Sequence, residues 1–329
     1  MTKGKSVYIV GGTGFLGYHA VQELLAKNWK VTVVGLPPAS PLQDPAASLF
    51  PASVKVIYQD IDGTSDADLR AQMAGHDVLI YASGADDRQT PRKPAYPFFQ
   101  HANVETCLRI LELARQAGVR RAVVLGSYFT HFNRLWPELR LADRHPYIRS
   151  RVEQEKAVMS IPGMDVDVLE LPYIFGGMPL PGWKSLWTPL VRYIRLTPIV
   201  FYMQGGSACV TVRTVGQAIA GALEHGQSRT FYPIGDENLT WAEMLKRLAA
   251  ADGRKIRVIT LTAWMIKPVL FIVWLFHELA GKQGGLDPRF FASLQTAKTY
   301  LDPQPTREAL GYETGGLDQA FIETVRSVR

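Results

Sequence analysis

Val7-Tyr8-Ile9-Val10-Gly11-Gly12-Thr13-Gly14-Phe15-Leu16-Gly17, followed by the helical run Tyr18 to Asn28, is the stretch on which the fold turns. A short β-branched run meets glycines at 11, 14 and 17 and passes straight into a helix. Gly11 permits a tight strand-to-helix turn, Gly14 lets the backbone approach a pyrophosphate, and Gly17 lets the helix pack closely on the strand. The helix N-terminus then offers free N–H groups and the positive end of its dipole to an anion. Glycine spacing alone is a weak signal; here a strand precedes it, a helix follows, and an alternation of strands and helices opens behind it. Gly11, Thr13, Gly14, Phe15, Leu16 and Gly17 are therefore candidate dinucleotide contacts. The plain alternative is a glycine turn that packs tightly and binds nothing.

Outward from that turn, short β-branched runs bounded by polar or glycine breaks predict strands at 6–10, 30–34, 54–58, 78–81, 122–125 and 166–171, with helices between them. Alternation of this kind implies a parallel sheet with helices on both faces. Val104, Cys107, Leu108, Leu111 and Ala114 recur at spacings of three and four, which predicts a helix over 98–117 capped by Gly118. After Pro172 the pattern loosens into Gly- and Pro-broken segments, where a second lobe is expected to begin. Val210 to Leu223 reads as one more strand and helix returning to the sheet. The expected organisation is an α/β Rossmann, doubly wound parallel sheet over 1–172 with 207–225 returning to it. A smaller, interleaved C-terminal substrate lobe is drawn from 173–206 and 226–329.

The 329 residues are 47% hydrophobic and 20% charged with no low-complexity run, the profile of an ordered globular chain. Two distant cysteines, Cys107 and Cys209, exclude a disulfide framework, and the first residues lack the apolar core of an export signal, so a cytoplasmic setting is expected. No metal site is expected. The net charge is +6, with arginines concentrated between Arg115 and Arg151. No nucleic-acid motif accompanies them, so a solvated basic face is the expectation and nucleic acid is not an expected partner.

The Gly-x-x-Gly-x-x-Gly spacing resembles the extended short-chain dehydrogenase/reductase family, including its epimerase/dehydratase-like members. Asp60-Ile61-Asp62 after the third strand resembles that family's acidic adenine contact, and Tyr81-Ala82-Ser83-Gly84 after the fourth its cofactor-side turn. Asn103-Val104-Glu105-Thr106 and Gly118-Val119-Arg120-Arg121 bracket a helix as they commonly do there. The resemblance implies cofactor contacts at Asp60, Ile61, Ala82, Ser83, Asn103 and Pro172. At the end of the second strand, where an acid would hold the ribose 2′-hydroxyl of NAD, the chain reads Val34-Gly35-Leu36-Pro37. The missing acid and the basic chain favour NADP, with NAD still fitting.

Val123-Val124-Leu125-Gly126-Ser127 resembles the strand whose serine hydrogen-bonds the substrate carbonyl, with Thr130 in reserve. His145 to Lys156 resembles the catalytic helix, in which a tyrosine passes a proton to or from the reacting oxygen and a lysine four residues on binds the nicotinamide ribose. Tyr147 occupies the tyrosine position; the lysine is replaced by Arg151. Four residues is about one turn, so the cation stays on the tyrosine's face, but a forked guanidinium is no copy of a compact ammonium. Lys156 falls on the opposite helix face. Ser127, Tyr147 and Arg151 are the candidate catalytic set. The bland alternatives are a strand-end serine bonding local backbone and an aromatic packing at a helix start.

Glu170-Leu171-Pro172-Tyr173-Ile174-Phe175-Gly176 resembles the family's Arg-Pro-x-x-x-Tyr-Gly segment, with Leu171 in place of arginine. Met178, Trp183, Leu186, Trp187, Tyr193, Phe201, Tyr202 and Met203 are wall material for an apolar pocket or ordinary core of a small lobe. Lys298 to Asp302 and Thr306 to Tyr312 resemble the 3β-hydroxysteroid dehydrogenase and dihydroflavonol reductase branch. The resemblance implies an NAD(P)-dependent oxidoreductase acting on a ketone or secondary alcohol of a small hydrophobic substrate, lipid- or sterol-like. A cofactor-binding sensor or scaffold and a nucleotide-sugar epimerase or dehydratase remain alternatives. Thr262 to Ala280 is apolar on every helical face yet too interrupted to span a membrane; a membrane-surface contact, a lid and a dimer contact all fit it. The resemblance also implies a homodimer.

Overall fold

The computed structural model describes residues 5–38 and 49–328; residues 1–4, part of the start read for an export signal, lie outside them. Seven parallel strands form the main sheet: β1 (Ser6–Val10), β2 (Lys30–Gly35), β3 (Lys55–Tyr58), β4 (Val78–Tyr81), β5 (Arg121–Ser127), β6 (Asp165–Leu171) and, later in the chain, Phe231–Pro233. Their spatial order is Phe231–Pro233, β6, β5, β4, β1, β2, β3, so the direction of winding reverses between β1 and β4. Val7 lies beside Val31 of β2 and Val78 of β4. At such a reversal the loops after the two strands diverge and leave a crevice at their carboxyl ends.

Successive residues of a strand face opposite sides, and both faces are covered. Val7 and Ile9 pack with Ala20, Val21 and Leu24 of α1 (Phe15–Ala26). Tyr8 and Val10 pack on the other face with Leu69 and Met73 of α2 (Asp66–Met73) and with Ile110 and Leu111 of α3 (Thr106–Gln116). Fully buried side chains of this size each contribute about 1.5–3 kcal/mol; Leu24→Ala would cost about 2–5 kcal/mol. Gln100–Glu105, ahead of α3, is wound as a π-helix. Its wider turn shifts the buried face relative to a plain 3.6-residue reading, turning Asn103 fully inward while Val104 and Leu108 are only half-buried.

The helix α4 (Pro146–Met159) lies beside α3 and carries the segment resembling the catalytic helix. Further on, β7 (Tyr173–Phe175), β8 (Ile199–Met203), β9 (Gly206–Thr211) and α5 (Val212–His225) lead to the main-sheet strand Phe231–Pro233, numbered β10. Then follow β11 (Glu237–Thr240), α6 (Trp241–Ala251), β12 (Arg257–Leu261), α7 (Ala263–Leu279), α8 (Pro288–Gln295), β13 (Lys298–Thr299) and α9 (Leu317–Arg326). A second sheet joins β7, β9, β11 and β13, and β8 pairs with β12. The smaller lobe has its own core, in which Phe175 stacks on Trp187 at 4.6 Å and meets Phe321 edge-on.

Two details of the expected lobes differ. The strand before α5 does not return to the main sheet: β9 pairs with β7, β11 and β13, and only α5 comes back, packing on α1. Phe231–Pro233, assigned by sequence to the substrate lobe, hydrogen-bonds to β6 and closes the main sheet. Several of the arginines between 115 and 151 are taken up by local acids, while Arg120 stands exposed. Arg115 pairs with Glu112, Arg121 with Asp167, Arg140 with Asp143 and Arg149 with Glu153. Both cysteines are buried free thiols. Among the described residues no helix is long and apolar enough to cross a membrane, and no cluster of His, Cys, Asp and Glu could hold a metal.

Candidate active site

A cleft of about 800 Å³ opens at the β1/β4 reversal. Its floor is the glycine turn. Gly11 sits at φ +79°, and a Cβ there would lie 2.5 Å from the carbonyl oxygen of Ala82, so only glycine lets the turn pass beneath the loop after β4. Gly11 and Gly12 N–H groups donate to the Val34 carbonyl at 2.9 and 3.1 Å, tying the turn to β2. Gly14 caps α1 without any side-chain hydrogen bond, and the first turn of α1 holds no acid. The helix end therefore presents N–H groups to the cleft with no side-chain cap and no first-turn acid among the described residues to neutralise them, a cradle suited to a pyrophosphate.

Gly11, Thr13, Gly14, Phe15, Leu16, Asp60, Ile61, Ala82, Ser83 and Pro172 all line this cleft. Two expected cofactor contacts do not. Gly17 stands behind the turn, where a Cβ would collide with the Gly11 carbonyl; its role is packing. Asn103 is fully buried: its Oδ1 accepts the Ala85 N–H at 2.8 Å and its Nδ2 donates to Ser150 Oγ at 3.0 Å. It thus braces the loop after β4 against α4, a positioning role that the π-helical turn creates. At the tip of β2 no acid is present, and Leu36 stands 69% exposed.

Ser127, Tyr147 and Arg151 line the same cleft. Ser127 ends β5, its Oγ 3.4 Å from the Phe129 N–H. Tyr147 rises from the first turn of α4, its ring edge-on to Phe99 and Phe129 and its N–H donating to the Gly285 carbonyl at 3.0 Å. Arg151 follows one turn on, with Cζ 5.3 Å from the Tyr147 ring centre. Its guanidinium donates to the carbonyls of Leu125 (3.3 Å) and Ala85 (3.2 Å) and to Gln154 Oε1 (2.9 Å), leaving Nε without a partner. A compact ammonium could not span β5 and the loop after β4 in this way. Lys156 points out to solvent. Tyr81, whose hydroxyl is buried, lines the cleft nearby, and burial raises its phenol well above the usual value.

Thr130, the reserve candidate, is fully buried behind the wall and does not line the cleft. Its Oγ1 lies 2.6 Å from the Ser127 carbonyl, 2.5 Å from Glu155 Oε1 and 2.7 Å from Glu170 Oε1. One hydroxyl proton cannot serve three acceptors, so a carboxyl supplies another proton. Burial, together with the Glu170 charge, pushes Glu155 up to about 8, and Arg134 bridges both carboxylates.

Phe98, Phe129, Trp183, Leu186 and Trp187 add an apolar lining to the cleft, and Trp183 packs on Phe15 of the glycine turn at 4.9 Å. The other apolar wall candidates lie elsewhere: Tyr193, Tyr202 and Met203 pack in the core of the smaller lobe, Met178 in the main core, and Phe201 is exposed. Sequence reasoning missed Asp87 and Arg88, which line the cleft beyond Gly84. Desolvation raises the Asp87 carboxyl, opposed by the charge of Arg88. Nothing in the run Asp86-Asp87-Arg88 distinguishes it from a solvated loop.

The sequence profile of the NAD dependent epimerase/dehydratase family matches residues 7–174. A putative dihydroflavonol 4-reductase of Synechocystis is 23% identical, the match covering 97% of this chain and 93% of that one. A UDP-glucose 4-epimerase of Vibrio cholerae is also 23% identical over 98% and 95%. A decarboxylating sterol-4-alpha-carboxylate 3-dehydrogenase of Mus musculus is 20% identical over 99% and 92%. Among solved structures, a dTDP-glucose 4,6-dehydratase double mutant from Streptomyces venezuelae with NAD bound shares the fold, with a TM-score of 0.67 at 18% identity over 98% and 96% of the two chains.

Proposed function

Because this chain belongs to the NAD dependent epimerase/dehydratase family, we propose that it is an NAD(P)-dependent oxidoreductase reducing a ketone, or oxidising a secondary alcohol, on a hydrophobic, lipid- or sterol-like small molecule. The observation that carries this reading is the shared cleft. An uncapped helix end suited to a pyrophosphate, the Ser127–Tyr147 pair and an apolar lining all open into one space. The dihydroflavonol and sterol names of two relatives support an apolar substrate.

A nicotinamide dinucleotide, when bound, supplies or takes up the hydride that these side chains cannot. Gly11, Gly14 and the N-terminus of α1 would hold its pyrophosphate, with Asp60 and Ile61 towards the adenine end. Ser127 donates a hydrogen bond to the substrate oxygen and Tyr147 gives it a proton as negative charge develops there; in the oxidative direction Tyr147 receives that proton. Arg151 holds β5 and the loop after β4 in register beside Tyr147, and Trp183 and Trp187 exclude water from the part of the cleft they line. We infer NADP over NAD, since no carboxylate at Gly35-Leu36-Pro37 awaits a ribose 2′-hydroxyl.

Calorimetric titration with NADPH and NADH tests the reading. Gly14 has φ −83°, which any residue adopts, and a Cβ there would lie 3.2 Å from the Gly11 carbonyl oxygen, so Gly14→Arg fills the cradle at the cost of a small shift in the turn. Tight binding that the substitution abolishes supports the site, and the ratio of the two affinities ranks the cofactors. Absence of binding by either nucleotide, reduced or oxidised, overturns the proposal. Nucleotide-sugar epimerisation or dehydration is the second reading, favoured by Arg88 and Lys184 on the cleft lining, where a diphosphate could pair; tight binding of a uridine or thymidine diphosphate would select it.

A further inference from the structure

The helix α7 wears its hydrophobic face outwards. Trp264, Val269, Phe271, Ile272, Phe276 and Leu279 are each more than half exposed, and Ile266 is the only buried residue among its 17. At about 100° per residue those six fall within an arc of roughly 160°, and Lys267, His277 and Glu278 fall outside it. The polar residues are thus turned towards the protein or the flank: Glu278 pairs with Lys93 at 2.5 Å, and Trp274 packs under the Arg289 guanidinium at 5.2 Å. A surface helix in water has the opposite polarity. Continuous apolar surface along about 25 Å of helix is more than a monomer ordinarily leaves to solvent.

The surroundings are basic. Beside α7 the exposed cations are Lys267 on its flank, Lys282 just past its end, Arg92, whose backbone bridges to Lys282, and Arg289, while Arg254, Lys255 and Arg257 stand farther off at the start of β12; the acids nearby in the chain are Glu278 and Asp287. Both acids are already in ion pairs, with Lys93 and Arg289. The preceding strand β12 pairs with β8, which exposes Ile199 and Phe201, so further apolar surface adjoins the start of α7. Beyond its end, the Gln283 N–H donates to the Pro91 carbonyl and the Gly285 N–H to that of Gln89. The same loop runs back to Asp86–Gln89 on the cleft lining, which couples α7 to the mouth of the site.

We propose that the exposed arc of α7 seats this protein on an anionic lipid bilayer, lying in the headgroup–acyl boundary without spanning it. An apolar arc with a positive rim is the pattern that such a surface takes up. In a two-fold pairing of copies through the same arc, each basic rim would confront another, which disfavours a second chain as the occupant. Seated this way, the cleft mouth lies close to a membrane-dissolved substrate. The docking itself does not depend on the oxidoreductase reading, because it is measured without substrate or cofactor.

The test is flotation of the full chain with vesicles of phosphatidylcholine containing phosphatidylglycerol, compared with vesicles of phosphatidylcholine alone. A Phe271→Glu/Phe276→Glu variant, altered only at exposed positions, is run beside it, with thermal unfolding confirming an intact fold. The expected result is flotation of the wild type with the anionic vesicles, at least about tenfold stronger than with the neutral ones, a blue shift of tryptophan emission from Trp264, and loss of both in the variant. Wild type that stays with the unbound fraction overturns the proposal, as does equal flotation of the variant. A lipid-free dimer that the two substitutions convert to monomer also overturns it, by giving the arc to a second copy.

Discussion

Arg151 lies with its Cζ 5.3 Å from the ring centre of Tyr147 while its guanidinium spans the carbonyls of Leu125 and Ala85. The arginine that stands where the family resemblance leads one to expect lysine is therefore a brace between β5 and the loop after β4. Arg151→Lys would reach at most part of this set, leaving a buried carbonyl or Gln154 Oε1 without its donor. We expect the variant to lose about 1–3 kcal/mol in urea unfolding and to turn over more slowly, the floor of the cleft having loosened. A gain in turnover at unchanged stability would show that the brace is unnecessary and that arginine impairs the site.

Tyr147 and Ser127 separate by what their substitution leaves behind. Tyr147→Phe removes only the hydroxyl, and the ring keeps its edge-on contacts with Phe99 and Phe129. The expected outcome is a fall in kcat of about 10²–10⁴-fold with nearly unchanged cofactor affinity. Ser127→Ala should lower kcat by about 10²-fold, as loss of one donor to a developing oxyanion does. Steady-state kinetics with calorimetric NADPH binding checks both; a matching loss of cofactor affinity would point to a collapsed cleft.

Six of the seven main-sheet strands were legible to within two residues at their ends, because buried parallel strands are written as unbroken β-branched runs between glycine and polar breaks. The glycine turn was legible because its geometry is local: Gly11 needs a positive φ whatever lies around it. The smaller lobe was not, since Tyr193 in its core and Trp187 on the cleft are the same kind of residue in the same loop-rich sequence, and only tertiary packing separates them. The cofactor contact expected at Asn103 came from the family resemblance, and nothing in the residues themselves signals the π-helical turn that buries its side chain. Phe231–Pro233 is too short to be distinguished from a loop by pattern.

His145 ties the start of α4 to the segment after α7. The Asp287 N–H donates to its Nδ1 at 2.9 Å, so that nitrogen must stay unprotonated. Burial lowers the imidazole to about 4. A histidine with a depressed folded value contributes stability that is complete above the unfolded value near 6.5 and is lost as pH falls from there towards 4. Asparagine at 145 offers an acceptor that does not titrate. His145→Asn should remove up to about 3 kcal/mol of the acid-limb dependence between pH 6.5 and 4, measured as the difference in unfolding free energy from wild type. An unchanged acid limb would place the sensitivity elsewhere.

Glu155 gives the opposite slope. It is buried beside Glu170, and its value is pushed up to about 8, so in the folded protein it holds a proton that the unfolded chain has released above about 4.5. Between those two values the folded state binds more protons, and stability therefore falls as pH rises from about 4.5 to 8. Asp167 and Asp236, both raised by burial to about 6, add to the fall over a narrower range. Glu155→Gln keeps the shape and an oxygen for Thr130, leaves Glu170 to hold Arg134, and cannot ionise. The variant should be less stable than or equal to wild type at pH 5, where wild-type Glu155 is protonated and satisfied, and gain on it steadily up to pH 8. Urea unfolding of both proteins at half-unit steps isolates the contribution from those of Asp167, Asp236 and His145, which the two share. A constant difference across the range would mean that Glu155 is already ionised at pH 5 and that Arg134, rather than a shared proton, holds the pair together behind Ser127.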